Sequence, residues 1–95
     1  MTMKKQLEVH GYENIRQLED GRWIGTYKLM FTTGLFVGLD DIGYACRYCF
    51  EDYDDACESV KQWNGRGHPP GNWIKRKGGI EGDYSNPNYK SKELI

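Results

Sequence analysis

GRWIGTYKLMFTTGLFVGLDDIGYACRYCFEDYDDACESVKQWNG, residues 21–65, is the stretch whose reading decides the fold. From Arg22 to Phe31 the chain reads as a strand. Successive side chains of a strand point to opposite faces, so Trp23, Gly25, Tyr27 and Leu29 share one face and Ile24, Thr26, Lys28 and Met30 the other. Thr32-Thr33-Gly34 punctuates this run as a turn. Leu35–Leu39 is a second, apolar strand, and Asp40–Gly43 a second tight turn. Tyr44–Phe50 is a third strand, with Tyr44, Cys46, Tyr48 and Phe50 on one face. A helix follows. Asp52 is a good N-cap, and Asp54 and Asp55 lie in the first turn, where carboxylates favour the positive end of the helix dipole. Tyr53, Ala56, Cys57, Val60 and Trp63 recur at helical spacing along one side. Asn64-Gly65 is a C-terminal stop.

Outward from this core, the signals weaken. Leu7 and Val9 alternate with polar neighbours, which allows a short strand before Gly11. Asp20-Gly21 is a hairpin dipeptide. After Gly65 the chain turns to glycine and proline, with Trp73-Ile74 as an apolar anchor. The expected architecture is α+β: an antiparallel meander of three or four strands with one helix on one face and an irregular Gly/Pro-rich tail. Residues 1–84 form the single expected domain, and 85–95 an expected flexible tail. The expected core comprises Trp23, Tyr27, Leu29, Leu35, Val37, Tyr48, Phe50, Ala56, Cys57, Val60 and Trp63.

Composition sets limits. A chain of 95 residues holds one modest core. Apolar residues make up 38% and aromatics 14%, so tryptophan and tyrosine must supply much of the buried area. The net charge of −1 argues against a generic nucleic-acid binder. That total hides a segregation. Residues 39–58 carry seven acids against Arg47 alone, whereas residues 59–78 carry five bases and no acid. The sequence has no apolar run long enough to span a membrane and no signal-peptide pattern, so the expected location is cytoplasmic, without a membrane partner.

The motifs that would carry chemistry are sparse. Cys46, Cys49, Cys57 and His68 can be written as a zinc set. In a strand, however, residues three apart face opposite ways, so Cys46 and Cys49 would not share a metal. They read as buried small hydrophobes in a reducing compartment. The spacing suggests no Ser-His-Asp or Cys-His arrangement, and Gly78–Gly82 lacks the strand and helix of a phosphate loop. The expectation is therefore no enzyme, no metal and no cofactor, with a small zinc or thiol protein as the second alternative.

Two charge features are candidate sites. Asp54, Asp55 and Glu58 share one side of the helix. Asp40 and Asp41, at a strand turn, are expected to extend it into an acidic surface for a basic protein partner. The alternative is Trp73, Lys75, Arg76 and Lys77, whose charges and ring would suit nucleic acid. In outline, three strands and a helix resemble the DNA-binding domains of phage integrase arms and of a class of plant transcription factors. That resemblance implies readout by an exposed sheet face, here Ile24, Thr26, Lys28, Met30 and Arg47. Separately, Gly21-Arg-Trp-Ile-Gly, Arg47-Tyr-Cys-Phe, Gln62-Trp-Asn-Gly, Pro70-Gly-Asn-Trp-Ile-Lys and Asn86-Pro-Asn resemble small uncharacterised phage and prophage proteins over about residues 20–88. This second resemblance implies an accessory protein that binds and modulates a host macromolecule, a defence protein included. It implies no site residue. An exposed strand edge can pair two copies, so the expected state is monomer or homodimer.

Overall fold

A computed structural model of the chain describes residues 2–91. It is an α+β fold in which one six-stranded antiparallel sheet separates two helices. The order is α1 (Met3–Val9), β1 (Glu13–Gln17), β2 (Trp23–Lys28), β3 (Thr33–Val37), β4 (Cys46–Phe50), α2 (Tyr53–Gln62), β5 (Trp73–Gly78) and β6 (Tyr84–Ser85). Each strand pairs with the next along the chain, β1 to β6, with no crossover. The meander is thus longer than the three or four strands of the sequence reading: β1 precedes, and β5 and β6 follow, the three strands read between Arg22 and Phe50.

Helix α2 forms where the residues direct it. The Asp52 carboxylate accepts from Asp54 N at 3.0 Å, and Asp54 and Asp55 occupy the first turn. Ala56, Val60 and Trp63 are buried against Ile24, Leu35, Val37, Tyr48 and Phe50. The register shows why these positions meet. Ile24, Val37, Cys46 and Gly78 lie in one cross-strand row, Thr26, Leu35, Tyr48 and Arg76 in the next, and Lys28, Thr33, Phe50 and Trp73 in a third. All three rows face α2. The far end of α2 is held from β1, where Arg16 Nη1 donates to the carbonyls of Val60 and Trp63.

Two expectations change here. The strand face of Trp23, Tyr27 and Leu29 is not the one under α2; Ile24 and Thr26 are, both fully buried. Residues 3–9 are not a strand but helix α1, capped by the Thr2 hydroxyl, which accepts from Lys5 N at 3.2 Å. Its Leu7 packs with Phe36 and Leu39, flanked by Met3, Tyr12, Ile15, Trp23 and Leu29, on the sheet face away from α2. The sheet is therefore covered on both sides in its first half. Burying the second face requires a second helix, and Leu7 supplies its apolar contact.

The turn after β2 also moves. It is centred on Met30-Phe31, closed by Leu29 N donating to Thr32 O at 2.8 Å, so Thr33 and Gly34 belong to β3. Of the expected tail, residues 92–95 lie outside the described residues. Before them, Asn86 bonds to the backbone of Trp73 and Ile74, and Asn72 and Lys90 bond each other twice.

Candidate functional site

The acidic residues do not form one surface. Asp54, Asp55 and Glu58 lie on α2, with Asp54 and Glu58 exposed. Asp55 and Glu58 border a shallow recess with Gln62, Pro70 and Asn72, and Glu58 accepts from Gln62 Nε2 at 2.8 Å. Asp40 and Asp41 belong to the β3–β4 connection, beyond Val37, whereas α2 starts beyond Phe50. These are opposite ends of the paired strands β3 and β4. Asp40 and Asp41 border a different recess with His10, Tyr12 and Tyr27, which belongs to the α1 side. Asp40 also shapes its own connection. Its Oδ1 accepts from Ile42 N and Gly43 N at 2.9 and 2.8 Å, which makes an Asx turn. Of the five candidate carboxylates, Asp54, Asp55 and Glu58 share one element, α2.

The basic run is divided by the strand it sits in. Trp73 is 4% exposed and packs edge-on to Tyr48 at 5.0 Å between centroids, so its face is not offered to solvent. Arg76 pairs across from Tyr48 on the α2 side, and its Nη1 donates to the carbonyls of Gly78 and Gly82. Lys75 and Lys77 lie on the other face, opposite Cys49 and Arg47. The structure thus replaces the expected set with Arg47, Lys75 and Lys77, where neither helix covers β4 and β5. Tyr44, half-exposed, extends this patch and accepts from Arg47 Nη1 at 2.9 Å. The face suggested for groove reading dissolves: Ile24 and Thr26 are buried, and Lys28 Nζ lies 4.5 Å above the Tyr53 ring.

A third constellation was not legible in the sequence. Arg22, Cys46, Tyr48, His68, Arg76 and Glu81 line a cleft of about 300 Å³ at the end of the sheet. The Tyr48 hydroxyl and His68 Nδ1 share a hydrogen bond of 2.9 Å, and the His68 ring stacks on Tyr84 at 5.2 Å. The interaction joins the loop after α2 to β4 and β6. Burial raises the pKa of Cys46 above its ordinary value despite the nearby Arg76 guanidinium. Burial likewise raises Tyr48. A thiol held in its neutral form is a poor nucleophile and a poor metal ligand. Cys49 lies on the opposite sheet face from Cys46, and Cys57 accepts from Asn14 Nδ2 at 3.0 Å. Among the described residues no group of His, Cys, Asp or Glu is placed to hold a metal ion.

Sequence reading also missed Met30 and Phe31, placed in a strand but lying at a hairpin tip, 88% and 86% exposed. The alternation through Leu29 masked them. Among the described residues no helix is long and apolar enough to cross a membrane. No family model, curated protein or solved structure matches the chain.

Proposed function

We propose that the protein is a non-enzymatic binding domain that engages a basic protein partner through the first two turns of α2. The observation that carries this reading is that Asp54, Asp55 and Glu58 lie on α2, whose Ala56, Val60 and C-capping Trp63 are buried in the core. A rigid, capped helix holds these carboxylates in fixed relative positions, which favours steering of a positively charged surface. In the accessory role implied by the phage-protein resemblance, the partner is a host protein whose activity the binding modulates. The test is association with an oligolysine peptide at low salt. Reversing Asp54, Asp55 and Glu58 to lysine is expected to slow association by roughly tenfold or more, and to remove its salt dependence. An unchanged rate in the reversed variant refutes the reading.

A second reading rests on a different observation. Arg47 and Lys77 are direct cross-strand neighbours, with Lys75 on the same face. Like charges placed directly opposite destabilise a sheet. A polyanion would relieve that repulsion. With three phosphate contacts, binding to single-stranded DNA should fall with salt at a slope of about −2, or roughly 20-fold between 50 and 200 mM. Fluorescence anisotropy measures it. Lys75→Ala and Lys77→Ala should each reduce the slope by about 0.7. Absence of binding at low salt discards this second reading.

A further inference from the structure

Met30 and Phe31 form the tip of the β2–β3 hairpin. The positions between Leu29 and Thr32 are where a tight hairpin normally carries Asn, Asp or Gly. Here they carry two large apolar side chains, both almost fully exposed. Backbone conformation does not require them: neither residue has a positive φ. Among the described residues the other strongly exposed aliphatic side chains, Val9, Ile42 and Ile80, have no apolar residue next to them in sequence. Scattered single residues are ordinary on a surface, whereas an adjacent pair on a projecting turn departs from local turn chemistry.

The tip has a defined electrostatic setting. Lys28, at the base of the hairpin, pairs with Thr33, and Thr33 pairs with Phe50, which leads directly into α2. Lys28 Nζ rests over the ring of Tyr53, the first residue of α2. The hairpin tip and the acidic turn of α2 therefore occupy the same end of the molecule. Lys28, which lies between them, is already engaged with an aromatic ring.

We infer that Met30 and Phe31 are the apolar anchor of a protein-binding surface whose rim is the acidic start of α2. The partner it fits is a protein with an apolar pocket bordered by lysine or arginine. Aromatic and methionine side chains are the residue types enriched at the centre of interfaces, and charged residues belong at the rim. Methionine also adapts to an irregular pocket. Insertion into a membrane is the less suitable use, because the neighbouring carboxylates repel anionic headgroups. This inference rests on the proposed acidic-face reading for the sign of the partner.

Two probes separate anchor from rim: an oligolysine peptide, which offers charge alone, and an amphipathic peptide alternating leucine and lysine. Titration calorimetry of the full chain should find the amphipathic peptide bound roughly tenfold or more tightly than oligolysine. The double variant Met30→Ser, Phe31→Ser should lose that preference and leave oligolysine binding unchanged. Its thermal midpoint should match the parent, since both side chains are outside the core. Equal binding of the two peptides by the parent, or a preference that survives the serine substitutions, overturns the anchor while leaving the acidic face standing. Conversely, oligolysine binding that survives reversal of Asp54, Asp55 and Glu58 refutes the acidic reading and with it the basic border of the partner's pocket, while the anchor of Met30 and Phe31 stands or falls on the peptide preference. Sedimentation of the parent with phosphatidylcholine vesicles, abolished in the serine variant, overturns the protein-partner assignment in favour of a lipid surface.

Discussion

At Gly34 the residue type is set by a neighbour rather than by a turn. A Cβ built there would meet Phe36 Cε1 at 2.5 Å, because the ring lies back across the glycine between Tyr27 and Cys49. Gly34→Ala should therefore cost about 1–3 kcal/mol through forced displacement of that ring. Gly43 makes the contrast. Its Cβ would meet nothing within 4 Å and its φ is not positive, so Gly43→Ala should be neutral or stabilise by up to about 1 kcal/mol. Urea midpoints of the two variants check both outcomes. Cys46 and Tyr48 lead to a pH prediction. Both are acids whose folded pKa is raised chiefly by burial. The folded state then binds more protons than the unfolded one once the unfolded group begins to titrate. Stability is full below the unfolded value and falls as pH rises from there. The fall should begin near pH 9 with Cys46 and steepen near pH 10 with Tyr48. Cys46→Ala should delay its onset in pH-dependent urea melts.

Among the elements, α2 was legible because every local signal agrees on it: cap, first-turn acids, apolar spacing and stop. Helix α1 was not. Seven residues with a single buried side chain carry too little periodicity to separate helix from strand. Its state is decided by the Leu7 contact with Phe36 and Leu39, which come from distant parts of the chain. The same holds for the clamp between β1 and α2. Arg16 satisfies carbonyls at the end of the helix, where a cation also suits the dipole. Arg16→Ala should destabilise by about 1.5–3 kcal/mol, and Arg16→Lys should recover part of it, because both bonds leave the single nitrogen Nη1, which an ammonium can imitate. Asp52→Ala should cost about 1 kcal/mol. Chemical denaturation of the three variants gives the comparison.

On the scale of the whole molecule, the sheet sorts residues that the sequence places side by side. Trp73-Ile74-Lys75-Arg76-Lys77 reads as one basic, aromatic cluster. In the fold Trp73 enters the core with Tyr48, Arg76 turns to the carbonyls of Gly78 and Gly82, and the two lysines face the other way. Trp73→Ala should lose about 3–5 kcal/mol. Lys75→Ala should change stability by no more than about 0.5 kcal/mol and act only on binding. Thermal melts separate the two residues that sequence grouped together. The acidic block is sorted in the same manner: Asp40 and Asp41 go to one end of β3 and β4, and Asp54, Asp55 and Glu58 to the other.

Sequence by itself determined the α+β class, the strands from Trp23 to Phe50, the capped helix that follows, and the opposite facing of Cys46 and Cys49. These depend on local chemistry and short periods, which neighbouring residues carry. Tertiary structure alone decided which face of β2 is buried, that residues 3–9 are helical, and which charges share a surface. Alternation marks two faces of a strand but does not say which one a helix will cover. That choice belongs to contacts between residues far apart in the chain, and it is why the acidic and basic runs, so plain from Gly21 onward, reach the surface as separate patches.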